Sequence, residues 1–191
     1  MKFHRSLFPY LAAVILLLLI AIFSPWLTPQ DPYAQDLAQA LMPPSADHLL
    51  GTDRYGRDIL SRIIIGSQTT LCASLLLLIF IALTGSLIGA LCGLKGGRTD
   101  ILLMRLADVF LAFPEMVFAI AVAGILGGGL IQAAIALALI GWPKYARLAR
   151  GLVLTIRSTP YFAAARMSGT GKIGLLCHHV FPNIAGPILV T

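Results

Sequence analysis

The sequence predicts an all-α protein, a polytopic transmembrane helix bundle. Three observations carry this. The 191-residue chain is 58% hydrophobic and only 12% charged. Its mean hydropathy is +0.89, and several apolar runs approach the ~20 residues that an α-helix needs to cross a bilayer. Between those runs lie glycine-, proline- and charge-rich stretches that cannot rest in hydrocarbon.

Residues 7–27 form the first apolar run, preceded by Lys2, His4 and Arg5. A basic start and a leucine-rich middle also suit a secretory signal. The exit, Ser24-Pro25-Trp26-Leu27-Thr28-Pro29, lacks a small-x-small cleavage site, so residues 1–27 read as an uncleaved anchor helix. Residues 28–68 are polar and carry Asp31, Asp36, Asp47, Asp53 and Asp58 against Arg54, Arg57 and Arg62. Residues 70–94 form a second span. Lys95-Gly96-Gly97-Arg98-Thr99-Asp100 reads as a tight basic turn, and residues 101–126 as a third, less uniform span. Gly127-Gly128-Gly129 is a turn. The apolar run 130–141 is short for a membrane and is expected to continue helically past Pro143 to Arg150. Residues 161–183 are basic and glycine-punctuated and read as a short helix, a turn at Gly169 and a second short helix. A fifth span is expected to start near Ile184.

Charge distribution orients these spans. With the amino terminus inside, only Arg54, Arg57 and Arg62 of the 14 basic residues lie outside; the other eleven, Lys2, Arg5, Lys95, Arg98, Arg105, Lys144, Arg147, Arg150, Arg157, Arg166 and Lys172, lie inside. The positive-inside rule selects this topology over its inverse. Residues 28–68 are then external and 157–183 cytoplasmic. The net charge of +6 is explained by membrane orientation and not by a nucleic-acid partner.

Several chemistries are excluded. Three cysteines make no disulfide framework, and Cys72 and Cys92 on one helix would lie ~30 Å apart. Ser168-Gly169-Thr170-Gly171-Lys172 has the look of a phosphate-binding loop. It fails, because Ile173 stands where Ser or Thr belongs and Arg166 where the first glycine belongs. His48 and the adjacent His178 and His179 read as surface residues, and no metal site is expected. An intramembrane enzyme would need paired catalytic groups at one depth, which Arg105, Asp108 and Glu115 do not supply. Arg105 and Asp108, one helical turn apart, can pair and fix the depth of the third span. Glu115 lines a path or bonds a neighbouring subunit, since a lone carboxylate facing lipid costs a few kcal/mol.

The segment 161–183 resembles the docking loop of ABC-importer permeases. That pattern runs Glu-Ala-Ala, three residues, Gly, then His and Pro-Asn; Ala164, Ala165, Gly169, His179, Pro182 and Asn183 fill it, with Ala163 in place of Glu and Arg166 following. A second block, His48 to Arg62 with Gly51, Thr52, Asp53, Gly56, Arg57, Asp58, Ser61 and Arg62, is similar to the signature of peptide and nickel importer permeases. Without the resemblance it would read as a charged surface loop. Gly96 to Asp100, Met104 to Asp108, Phe113-Pro114 and Trp142 to Arg150 extend the likeness along most of the chain.

The resemblance implies a type I ABC-importer permease fold, here incomplete, with residues 69–191 as a partial transmembrane domain. It implies a subunit of an ATP-driven importer in the bacterial inner membrane with a cytoplasmic amino terminus. The implied partners are a second homologous permease, two ATP-binding-cassette ATPases and an extracytoplasmic solute-binding protein. The chain itself binds no cofactor, ATP and magnesium sitting on the ATPases. Nickel chelates and di- or oligopeptides are the substrate classes, with Ser168 and Ala163 favouring the nickel type. The abrupt end at Thr191 adds the alternative of a truncated, inactive or regulatory fragment.

Overall fold

The structure is a computed structural model. It describes the backbone of residues 3–191 and the side chains of residues 9–191 except Lys172. Lys2 and the side chains of His4, Arg5 and Lys172, used above for topology, lie outside the described residues.

Among the described residues there is no strand. The helices are α1 (Phe3–Leu27), α2 (Ile59–Lys95), α3 (Gly97–Leu111), α4 (Glu115–Ile125), α5 (Leu130–Arg157) and α6 (Pro160–Met167). The last helical run comprises α7 (Lys172–Gly174), a π-helical turn Leu175–Val180, and α8 (Phe181–Leu189). The chain divides into two compact units, residues 1–75 and 76–191.

In the first unit, α1 is apolar on nearly every side. Leu16 and Leu17 are more than half exposed, which suits a helix surrounded by lipid. The polar stretch after it folds into an ordered loop with a single 3₁₀ turn, Leu37–Gln39. Helix α2 begins at Ile59, within the stretch read as external loop. Its 37 residues would extend about 55 Å, well beyond a ~30 Å hydrocarbon core.

The second unit is organised around α5. Gly85, Gly89 and Gly93 recur every fourth residue on α2 and so share one face. Cβ atoms there would collide with the Trp142 carbonyl at 2.5 Å, with the Ala146 carbonyl, and with Val153 at 2.8 Å respectively. The backbones of α2 and α5 therefore touch along a glycine seam. In lipid such contact replaces the hydrophobic effect as the main source of helix association. Ala90, Ala149 and Val153 beside the seam are buried, together with Phe162, Ala165, Leu175, Val180 and Ile184 from the last third of the chain.

The third span was expected to be one helix. It is broken instead: α3 and α4 meet at 89°. Pro114 explains the break, since proline supplies no N–H to the helix ladder and disfavours helical geometry in the residue before it. Phe110 packs edge-on against Phe118 and Trp142, each at 6.0 Å between centroids, and fills the corner. The basic turn at 95–100 is confined to Gly96 and Gly97, both with positive φ, and α3 starts at once. The fourth expected span, α5, runs through Pro143 as expected and goes further, to Arg157.

Replacing Gly89 by leucine must force α2 and α5 apart. The expected loss is at least the ~1–3 kcal/mol of an overpacked core. Gly151→Ala, on a helical face with open space around it, should be neutral or stabilising by up to ~1 kcal/mol. Thermal unfolding in detergent, followed by circular dichroism, checks both.

Candidate functional site

Two groups of residues carry the candidate chemistry, one in each unit. The first is the loop before α2. Asp58 caps this helix: its Oδ2 accepts the N–H of Ser61 at 2.7 Å, satisfying one of the free donors of the first turn. Its Oδ1 lies 3.1 Å from Nδ1 of His48, whose Nε2 is 2.8 Å from Oε1 of Gln39. His48 is 6% exposed and Asp58 4%. The expectation of a surface histidine is thus corrected: His48 is the buried bridge between the helix cap and the 3₁₀ turn. Ser61, fully buried, accepts the N–H of Gln30 at 3.1 Å. The Thr52 hydroxyl donates to the Gln39 carbonyl and accepts the Met42 N–H at 2.8 Å.

Asp53 organises the turn beside this core. Its Oδ1 accepts the N–H groups of Tyr55 and Arg57 at 2.8 and 3.1 Å. Its Oδ2 receives Arg57 Nε at 2.8 Å, with Arg62 further off at 3.7 Å. The guanidinium groups of Arg54 and Arg57 stack on the Tyr55 ring, 4.8 and 4.7 Å from its centre. Gly51 and Gly56 have φ of 77° and 72°, and Cβ atoms on them would run into the backbone of Met42 and Asp36. All eight signature residues, Gly51 through Arg62, therefore belong to one interlocked loop and the first turn of α2. Gln30 and Gln39, which complete it, were not singled out; glutamine in a polar stretch carries no pattern of its own.

The hydrogen bond from Arg57 holds the Asp53 carboxyl down at about 2, against an ordinary 3.8, despite some opposing desolvation. Burial pushes the Asp58 carboxyl up, but the Ser61 hydroxyl and N–H and the His48 ring outweigh it and leave the group lowered.

The second group is the segment after α5. Thr159 caps α6 by accepting the Phe162 N–H at 3.3 Å, and Pro160 occupies the first turn, where its missing N–H costs nothing. Phe162 and Ala165 are buried; Ala163, Ala164 and Arg166 are exposed. The helix ends at Met167 and the chain turns at Gly169, whose φ is 84°, the turn anticipated from sequence. The second short helix expected after it is instead the start of a longer one. From Lys172 the run continues through the π-helical turn into α8, so no break separates it from the span expected at Ile184. The Tyr161 hydroxyl and His179 Nδ1 hydrogen-bond at 2.5 Å, tying α6 to the π-helical turn. Asn183 Nδ2 donates to the His179 carbonyl at 2.6 Å, and Pro182 lies exposed beside it.

The charges on α3 pair differently from expectation. Asp108 pairs with Arg147 of α5, not with Arg105 on its own helix. Arg150 binds Asp100 through two parallel bonds of 2.5 and 2.7 Å. Glu115 is exposed in the first turn of α4, where a carboxylate meets the positive end of the helix dipole. The structure brings together Asp108, Arg147, Asp100 and Arg150 between α3 and α5, and leaves Arg105 and Glu115 apart from them.

Apolar helices, with a helix–glycine–helix segment packed on the ends of α2 and α5, define a polytopic helical membrane protein. The chain belongs to the family described as binding-protein-dependent transport system inner membrane component, which matches residues 85–191. The N-terminal transmembrane domain of oligopeptide transport permease C matches residues 11–44. Over 177 residues, 93% of this chain and 59% of the relative, it is 42% identical to the probable D,D-dipeptide transport system permease protein of Escherichia coli K12. It is 39% identical over 180 residues, 94% of this chain and 65% of the relative, to the nickel transport system permease protein of the same organism. It is also 39% identical over 183 residues, 93% of this chain and 60% of the relative, to the di/tripeptide transport system permease protein of Pseudomonas aeruginosa UCBPP-PA14. The chain thus spans less than two thirds of the length of these relatives.

Asp58→Ala removes a helix cap and leaves His48 facing an empty partner position. The loop should lose roughly 1–3 kcal/mol, read as faster chymotryptic cleavage at Tyr33 and Tyr55; Asp47→Ala should not change the rate. The acid sensitivity has a definite sign. Both carboxyls are lowered in the folded loop, so their stabilisation is complete above about pH 4. It is lost as the pH falls through the folded values, for Asp53 about 2. A ¹³C titration of the Asp53 carboxyl should show its midpoint there.

Proposed function

We propose that the chain acts as a membrane-spanning permease subunit of an ATP-driven importer. Membership of the binding-protein-dependent transport family supports the transport role. The observation that carries the mechanism is the α6–Gly169–π-helical segment. It offers an exposed edge of Ala163, Ala164 and Arg166, while Phe162 and Ala165 anchor it in the same core as α5. Two ATP-binding-cassette ATPases are the proposed partners, one of them gripping this edge. A body seated through buried side chains moves with its helices rather than bending, so closure of the ATPases would be passed to α5 and α8. A second, homologous permease would cover lipid-facing surface of the bundle, and an extracytoplasmic binding protein would deliver solute.

The proposed orientation places the amino terminus and the α6 segment in the cytoplasm and the 28–58 loop outside, as the basic residues favour. The order of the loop suits a docking platform for the binding protein, because a preformed surface lowers the entropic cost of association. Small peptides and nickel chelates are the substrate classes; relatives named for both stand at nearly equal identity. Glu115 is proposed to contact the path or the second permease.

Gly169→Val places a branched side chain at φ 84°, a strain of roughly 1–2 kcal/mol or more. It should reduce co-purification with the ATPases while membrane insertion persists; Gly171→Ala, with open space and ordinary φ, should not. A reporter active only outside the cytoplasm should work when fused after Pro44 and be silent when fused after Lys172. Unchanged ATPase association in Gly169→Val, or the reverse reporter pattern, overturns the docking assignment.

A further inference from the structure

At one end of the second unit, the last turns of α2, α5 and α6 surround a cavity of about 370 Å³. Three cations stand around it: Lys95 ends α2, Arg157 ends α5 and Arg166 lies in the last turn of α6. Leu94, Phe162 and Leu175 contribute to its apolar wall, and none of its lining residues is acidic. The acids nearest in sequence are already engaged, Asp100 by Arg150 and Asp108 by Arg147. Arg157 donates one N–H to the Gly93 carbonyl at 2.5 Å. A guanidinium has five such donors, so most of its capacity is left over. Among the described residues, neither Lys95 nor Arg166 has a carboxylate partner.

The place fixes the kind of ligand. Lys95 directly follows the apolar run 70–94, long enough to cross the hydrocarbon, so the cavity lies where hydrocarbon gives way to headgroups. A ligand that satisfies both walls carries negative charge at one end and hydrocarbon at the other. Basic pockets between helix ends at this depth suit anionic lipid headgroups. We propose that this cavity is a binding site for one anionic phospholipid. Its phosphate lies among Lys95, Arg157 and Arg166, and an acyl chain lies along Leu91, Leu94 and Ile173. The lipid then bridges α2, α5 and α6, the last of these being the segment proposed above to be gripped. The site itself does not depend on the transport reading.

Native mass spectrometry of the detergent-solubilised chain tests this. The probes are dioleoyl phosphatidylglycerol and dioleoyl phosphatidylcholine, which share acyl chains and differ in charge. The expected result is a preference for the glycerol lipid of about tenfold. It should fall to near one in Lys95→Gln/Arg157→Gln/Arg166→Gln, and persist in Arg98→Gln/Arg105→Gln/Lys144→Gln, which removes equal charge elsewhere. Leu94→Trp, which fills the apolar wall and keeps the cations, should lower occupancy by both lipids. It decides the matter alone if circular dichroism shows that the triple variant does not fold. Inorganic phosphate in excess should not displace the lipid. Equal loss in both triple variants, unchanged occupancy in Leu94→Trp, or displacement by phosphate alone overturns the proposal. So does lipid binding that survives in the cavity variants while ATPase co-purification fails, which would make the surface a protein contact.

Discussion

The core of the second unit depends on how closely α2 and α5 approach. In lipid, expelling water cannot drive two helices together, because hydrocarbon solvates leucine as well as leucine does. Dispersion between backbones and small side chains must serve instead. Gly85, Gly89 and Gly93 permit it by presenting no side chain where Trp142, Ala146 and Val153 stand. The same proximity lets Arg157 reach the Gly93 carbonyl at the end of α2. It also creates the small buried core into which Phe162 and Ala165 insert. Without the seam, the exposed segment at Gly169 would have no fixed seat.

The ion pairs between α3 and α5 have a different character. Asp100 is 7% exposed, and its two bonds to Arg150 hold α3 in a definite rotation. Breaking such a pair by removing one partner is far costlier than never having built it. Its contribution is therefore to fix register rather than to add net stability. The 89° corner at Pro114 needs such fixing, since the aromatic packing of Phe110, Phe118 and Trp142 is less directional than a bidentate ionic bond.

The helices, the continuation of α5 through Pro143 and the turn at Gly169 were legible in the sequence, because hydropathy and glycine report on local constraints. The corner at Pro114 was not. Residues 101–126 are apolar on both sides of it, and composition cannot say whether a proline bends a helix or breaks it. Asp108 was matched to Arg105 because spacing along a helix is visible and a partner 39 residues away is not. His48 looked solvent-exposed for the same reason. Its partners, Asp58 and Gln39, converge only after Gly51 and Gly56 turn the chain.

The π-helical turn settles which side chain the core receives. Leu175, Val180 and Ile184 are all buried, at intervals of five and then four. In an unbroken α-helix the residue stacked on Leu175 would be His179, one turn of four on. One extra residue in the turn advances the phase, so valine faces inward and the imidazole emerges beside Tyr161. Rewinding Leu175–Val180 as an ordinary α-turn would keep the segment helical and leave the composition unchanged. It would still turn every later side chain, Pro182 and Asn183 included, to a new compass bearing. The exposed face of α8 is thus set by the count of residues in one turn, independently of what those residues are.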